Sequence, residues 1–203
     1  MTAASPRAHE DDARQIELSL DDPGQFGVLF DRYFAEIHGY AARRIGRDAA
    51  DDVAAETFLT AFRARRRFDA SRGTVRAWLY GIATNLIGAY HRQEVRAYRA
   101  MELAGRDGAG RDGTEEGHAD LVAERVDARA VHREIAGALA ELPRGDRDVL
   151  LLVALGGLSH ADVAAALGIP YGTVGSRLNR VRKKLRGVAS VAPGVEQEGG
   201  GNG

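Results

Sequence analysis

The first sustained pattern along the chain is Phe26, Leu29, Phe30, Tyr33, Phe34, Ile37 and Tyr40, whose steps of three and four place all seven side chains on one helical face. Gly46-Arg47-Asp48 interrupts it. Asp48 is positioned to cap a second helix, with Asp51 and Asp52 in its first turn, where carboxylates complement the positive helix terminus, and with Val53, Phe58 and Phe62 inward. A turn-rich stretch from Phe68 to Gly73 follows. Val75, Trp78, Leu79, Ile82, Leu86, Ile87 and Tyr90 then outline a third, longer helix whose other face carries Arg76, Asn85, Arg92 and Arg96.

From Ala104 to Gly117 the hydrophobic period disappears into glycines and acids, which predicts a flexible linker. Gly108 to Gly113 spells G-x-G-x-x-G, but that nucleotide fingerprint needs a strand before it and a helix after it, and the flanking pattern offers neither. Beyond the linker, Val131, Ile135, Leu139 and Leu142 mark a helix stopped by Pro143, and Val149 to Leu155 a short apolar one closed by Gly156-Gly157. Ser159 with Asp162 three residues on resembles a capping box, and Gly168 is a natural C-terminal cap for the helix between. After Ile169-Pro170, a last helix runs from Thr173 to Leu185 with Val174, Leu178, Val181 and Leu185 inward. The fold class is therefore all-α: two small helical domains joined by a flexible linker, the second containing a helix-turn-helix. The domains span residues 24–100 and 128–187; an acidic disordered arm (1–23), an acidic Gly-rich linker (101–127) and a disordered tail (188–203) complete the chain.

Composition changes this picture little until charge is resolved along the chain. The 28 basic and 29 acidic side chains sum to −1, yet residues 58–100 hold nine arginines against two acids and residues 171–203 six cations against two acids. Residues 1–25 hold six acids and two arginines, and residues 101–127 eight acids and three arginines. Two separated basic blocks suggest polyanion contact at two places. The absence of cysteine excludes disulfides and thiol chemistry. The six histidines have no metal-ligand spacing, and no catalytic motif is present, so no metal, cofactor or catalytic residue is expected and the chain reads as a non-enzyme. With six charged residues in its first twenty and no apolar run, the start is neither a signal peptide nor a membrane span, so a cytoplasmic protein without membrane insertion is expected.

A short helix, a Gly-Ile-Pro turn and a helix with cations on its free face form a helix-turn-helix, whose second helix enters the major groove. That groove, about 12 Å wide, just admits one helix, and the phosphates on its walls favour Arg and Lys on the helix flanks. Six positive and no negative residues between Tyr171 and Arg186 distinguish this face from an ordinary solvated one, which mixes signs.

LSHADVAAALGIPYGTVGSRLNRVRKKLR (158–186) resembles the fourth-region helix-turn-helix of bacterial RNA polymerase sigma factors of the extracytoplasmic-function group. DAADDVAAETF (48–58) followed by WLYGIATN (78–85) resembles that group's second region, in the same order. The resemblance implies a dissociable promoter-recognition subunit whose partners are core RNA polymerase, promoter DNA and an anti-sigma protein. It implies polymerase docking through Asp51, Asp52, Glu56, Thr57 and Phe58, although Asp51 and Asp52 also suit the helix dipole and Phe58 the core. It implies minus-ten DNA contact from Asp69, Ser71, Arg72, Gly73, Thr74, Arg76 and Asn85, with Arg92, Arg96 and Arg99 along the strand. An unpaired base needs such hydrogen-bonding groups and a stacking surface; Trp78, sharing a face with Leu79 and Ile82, reads as core before it reads as that surface. At the minus-thirty-five element, base reading falls to Ser176 and Asn179, and phosphate contact to Tyr171, Thr173, Arg177, Arg180 and Lys183. Gly175 stands where the group commonly has a basic residue. The alternative reading is a helix-turn-helix regulator that binds duplex DNA without polymerase; a third is a helical adaptor for acidic proteins.

Overall fold

A computed structural model describes residues 6–106 and 137–189. Its regular elements are the helices α1 (Pro6–Asp21), α2 (Gly27–Ile45), α3 (Arg47–Ala64), α4 (Val75–Arg106), α5 (Arg144–Ala154), α6 (His160–Leu167) and α7 (Tyr171–Ala189), with 3-10 turns at Pro23–Phe26, Arg65–Arg67 and Ala70–Arg72. The G-x-G-x-x-G window at 108–113, the expected linker beyond Arg106 and the tail from residue 190 lie outside the described residues.

The apolar stripe of α2 buries Leu29, Tyr33, Ile37 and Tyr40 against Ala50, Ala54, Phe58 and Ala61 of α3 and Leu79, Ala83 and Ile87 of α4. Phe30 departs from the stripe. It stays 39% exposed at the edge of the core, its ring packed on Phe34 and Phe58, because seven positions cover more of the helix circumference than α3 and α4 bury. Gly46, not Asp48, occupies the N-cap of α3, with no side-chain cap bond, and Asp48 sits within the first turn.

The disordered arm expected at residues 1–23 is replaced over Pro6–Asp21 by α1. Ile16 is buried in the common core, and the Asp12 carboxylate, fully buried, pairs with Arg32 and accepts from the Tyr33 hydroxyl. Burial and the neighbouring carboxylate raise the Tyr33 pKa. Arg65 Nε donates to the Ser19 carbonyl (3.2 Å), satisfying an acceptor that the helix end leaves free. The helix is thus held by polar contacts to α2, to the Pro23–Phe26 turn, where Gln15 Nε2 donates to the Gln25 carbonyl (2.9 Å), and to the turn after α3. Helix α4 also passes the boundary drawn at residue 100.

In the C-terminal unit, Pro143 leads into α5, which starts earlier than its apolar run suggested. Ser159 caps α6: its Oγ accepts from Asp162 N–H (3.1 Å) and donates to the Asp162 carboxylate (2.7 Å). Gly168 closes the helix at φ +61, a left-handed conformation that costs glycine nothing. Val174, Leu178 and Val181 face inward from α7, with Leu185 half-buried.

Both helical units are present, but they share a core. Val149, Leu152, Leu158, Val163, Val174 and Leu178 belong to the same buried cluster as Leu79, Tyr80 and Ile87. Helix α6 lies directly on α4 at Gly81, where a Cβ would collide with the Ala166 carbonyl. Arg44 Nη2 meets Asp148 Oδ1 at 2.8 Å, with the two side chains only 6% and 9% exposed, and Arg43 donates to the Leu155 carbonyl (2.8 Å).

Candidate nucleic-acid interface

The loop between α3 and α4 is built by its own polar side chains. Asp69 accepts from the backbone N–H (2.9 Å) and hydroxyl (2.6 Å) of Ser71, fixing the Ala70–Arg72 turn, and these bonds hold its pKa below the usual carboxylate value. Thr74 Oγ1 accepts from Ala77 N–H (3.0 Å), capping α4. Asp69, Arg72, Gly73, Thr74 and Asn85 line one cleft of about 830 Å³, together with Phe68 and Trp78. Trp78 is half-buried: it packs against the core, with its ring 5.2 Å from that of Phe68, and also forms part of the cleft wall, so the core and stacking readings are not exclusive. The far wall belongs to α6, the turn after it and the start of α7, including Ala165, Ile169 and Tyr171.

Ser71 faces a second, smaller groove that Glu10 of α1 also lines. Arg76 is not free: its guanidinium pairs with Glu36, donates to the Gly156 carbonyl (2.7 Å) and lies over the Tyr80 ring. Arg92 and Arg96 are exposed farther along α4, Arg96 Nε bonding to the Arg92 carbonyl (3.1 Å); the Arg99 side chain lies outside the described residues. At 1.5 Å per residue, the stretch from Arg76 to Arg96 runs about 30 Å. Arg67, exposed at the cleft mouth, is absent from the expected set, although the Arg65-Arg66-Arg67 run in the most basic block was its visible signal.

On α3, Asp51, Asp52 and Glu56 are exposed, with Leu59 beside them at 42%. His38 Nε2 approaches Asp51 Oδ1 (2.9 Å), its ring stacked near Phe34. Thr57 and Phe58, grouped with these residues on the sequence, are both buried, and the Thr57 hydroxyl donates to the Val53 carbonyl (2.7 Å), so they underlie the acidic face rather than form its surface.

Along α7, Tyr171, Ser176, Asn179 and Lys183 are exposed and Thr173 is partly so, its carbonyl accepting from the Ser176 hydroxyl (2.9 Å). Arg177 and Arg180 are tethered. Arg180 binds Asp146 through two nitrogens (2.9 and 2.7 Å), and Arg177 donates to the Gly145 carbonyl (3.2 Å). The Arg180 bonds push the Asp146 pKa down, with burial opposing and the Arg177 charge assisting. Asp146 orients both arginines from 34 residues away from Arg180, and no local pattern announced it. A Cβ at Gly175 would meet open space. Among the described residues no cluster of His, Asp or Glu could hold a metal, and no helix is long and apolar enough to cross a membrane.

A helix-turn-helix unit with a cationic face, joined to a helical unit with an acidic face and a polar cleft, defines a two-domain protein of the DNA-binding helix-turn-helix class. The comparisons with known proteins are specific. Residues 29–97 match the family description Sigma-70 region 2, and residues 132–185 match Sigma-70, region 4. The ECF RNA polymerase sigma factor SigC of Mycobacterium tuberculosis is 38% identical over 187 residues, covering 91% of this chain and 89% of that protein. The RNA polymerase sigma factor CnrH of Cupriavidus metallidurans is 35% identical over 170 residues, covering 79% and 84%. In structure, CnrH in complex with the cytosolic domain of CnrY aligns with TM-score 0.59 and 25% identity, covering 90% of this chain and 99% of that one. The sigma factor RpoE bound to the anti-sigma factor NepR, from Bartonella quintana, shares the fold at TM-score 0.52 and 22% identity, covering 83% and 98%. The chain belongs to the extracytoplasmic-function group of the sigma-70 family of RNA polymerase sigma factors.

Proposed function

We propose that the chain is a dissociable, non-catalytic subunit of bacterial RNA polymerase that works in the cytoplasm and selects promoters through three separate surfaces. The acidic face of α3, with Asp51, Asp52 and Glu56 flanked by exposed Leu59 and Phe30, docks on the polymerase. The Phe68–Arg76 loop receives a flipped minus-ten base: Asp69, Thr74 and Asn85 offer hydrogen bonds, Trp78 and Phe68 a stacking surface, and Arg67, Arg72, Arg92 and Arg96 follow the strand. Helix α7 enters the minus-thirty-five major groove, where Asn179 suits an adenine edge and Ser176 reads beside it, while Lys183, Arg177 and Arg180 meet phosphates. An anti-sigma protein is a further partner, as one of the solved proteins of this fold is complexed with one.

The observation that carries the reading is that the two family-matched segments fold into units with different exposed chemistry, carboxylates on α3 and cations on α7. The test is co-elution of the protein with core polymerase on gel filtration, followed by run-off transcription. Wild type is expected to co-elute and to give protein-dependent transcripts, whereas Asp52→Lys/Glu56→Lys, which stays folded because both side chains are exposed, is expected to do neither. Duplex protection by the protein alone, with no transcripts in the presence of core enzyme, would favour the regulator reading instead.

A further inference from the structure

Helix α7 does not present its cations alike. Arg177, Arg180 and Lys184 are held by groups at and before the start of α5, whereas Arg182, Lys183 and Arg186 stand exposed. Lys184 pairs with Glu141 (3.0 Å), itself 72% exposed, as an ordinary surface pair does. The contact at Asp146 is of another kind. Its carboxylate is only 5% exposed, and Arg180 takes both oxygens side by side, through Nε (2.9 Å) and Nη2 (2.7 Å). Arg177 Nε lies 3.8 Å from the same carboxylate, and Gly145 makes room for it: a Cβ there would stand 2.6 Å from Arg177 Nη1.

A guanidinium carries all its N–H donors in one plane. The two-point contact with Asp146 uses one edge, the Nε–H and one Nη2–H, so both Nη1–H groups and the other Nη2–H remain for a second partner, and 58% of the side chain is exposed. That remaining edge suits a phosphate, which accepts two parallel bonds. Arg180 also has the right place on the helix: it stands four residues after Ser176 and three before Lys183, on the same outward face. Two arginines around one carboxylate leave the cluster net positive, so Asp146 stands beside the recognition helix without reversing the sign of its flank. A long side chain fixed in advance also escapes the ordering cost that binding otherwise carries.

We propose that Asp146, a residue of α5 outside the recognition helix, is a positioning residue for DNA: it braces Arg180 by one edge of the guanidinium so that the other edge meets a backbone phosphate of the minus-thirty-five duplex. The proposal rests on the reading of α7 as the groove-binding helix. Its consequence is one of sign. By charge alone, removing an acid beside DNA tightens binding; with the brace, it weakens binding.

The test uses the full chain and a fluorescein-labelled, randomised DNA duplex of about 26 base pairs, read by anisotropy at about 50 mM salt, since a phosphate contact is independent of sequence. Circular dichroism melts of each variant set the assay temperature below its unfolding transition. Arg180→Ala is expected to lose about tenfold, the worth of one phosphate contact at that salt, and to flatten the salt dependence by about one unit of log–log slope. Arg180→Lys, which keeps the charge on an exposed side chain but has no second edge, is expected to lose most of the same affinity. Asp146→Asn, which keeps the shape but not both acceptors, is expected to weaken binding about threefold, the cost of ordering one long side chain on the DNA. In an Arg180→Ala background it is expected to cause no further loss. Tighter binding by Asp146→Asn, equal losses with and without Arg180, or an Arg180→Lys or Arg180→Ala that binds like wild type overturns the brace while leaving duplex binding by α7 in place. No duplex binding by wild type, alone or with core polymerase, would instead overturn the groove-binding reading and the brace with it.

Discussion

Gly175 offers a sharp test of how the two units are joined energetically. It lies in the interior of α7, exposed, with nothing within 4 Å of where a Cβ would stand. Gly175→Ala therefore adds a methyl to solvent, leaves every packing contact intact, and recovers the helix-propensity difference of about 0.8–1 kcal/mol, largely by restricting the unfolded chain. The consequence for melting depends on the size of the cooperative unit. About 1 kcal/mol raises Tm by about 2–4 °C when 150–250 residues unfold together, and by about 4–8 °C when a 60–100-residue domain unfolds alone. Because Val174 and Leu178 of α7 share a core with Leu79 and Tyr80 of α4, calorimetry of wild type and Gly175→Ala should give one transition displaced by the smaller amount. In a Gly81→Val background, whose side chain would collide with the Ala166 carbonyl and is expected to wedge α6 off α4, the shift should move to the larger range and to one of two transitions. No stabilisation in either background would refute the reasoning, since it would mean that residue 175 is not in an open helical turn.

Three further outcomes follow from particular contacts. Asp146→Asn removes the carboxylate that Arg180 holds below its ordinary pKa of 3.8. A depressed folded-state value stabilises fully above the unfolded value and is lost as pH falls below it, so the variant should melt below wild type at pH 7 and the gap should close under about pH 4 in thermal scans. Lys183→Ala, removing an untethered exposed cation, should weaken duplex binding across sequences and flatten the salt dependence by about one unit of log–log slope; loss at a single base position would make Lys183 a reader instead. Asp12→Ala leaves the buried Tyr33 hydroxyl without its acceptor and should cost about 1–3 kcal/mol in urea unfolding, with no change expected if α1 is detached in solution.

How much of this was legible in the sequence depends on whether the signal is local. The helix-turn-helix was legible because its caps and period sit within a few residues of each other: Ser159 to Asp162, Gly168, and the inward spacing of Val174, Leu178 and Val181. The turn at the mouth of the polar cleft was legible for the same reason, since Asp69 and Ser71 build it themselves. Helix α1 was hidden because its anchors are a buried carboxylate and one isoleucine, which read as a charged, solvated arm. The shared core was hidden because Arg44 and Asp148 stand 104 residues apart and a helical glycine such as Gly81 shows a close approach only once its neighbour is placed. Arg76 and Arg177 were assigned to nucleic acid by charge and spacing, while the acceptors that hold them, Glu36, Gly156 and Gly145, come from other elements.

If one chain supplies core polymerase with two spaced promoter contacts, the transcripts it directs carry the imprint of both. The most direct measurement is to transcribe fragmented genomic DNA with core enzyme, with and without this protein, and to map the 5′ ends of the transcripts. Two docking units on one polymerase require new start sites that share two sequence blocks, one about 10 and one about 35 nucleotides upstream, at constant spacing. No protein-dependent starts, or starts sharing only one duplex block that the protein also binds without polymerase, would contradict it.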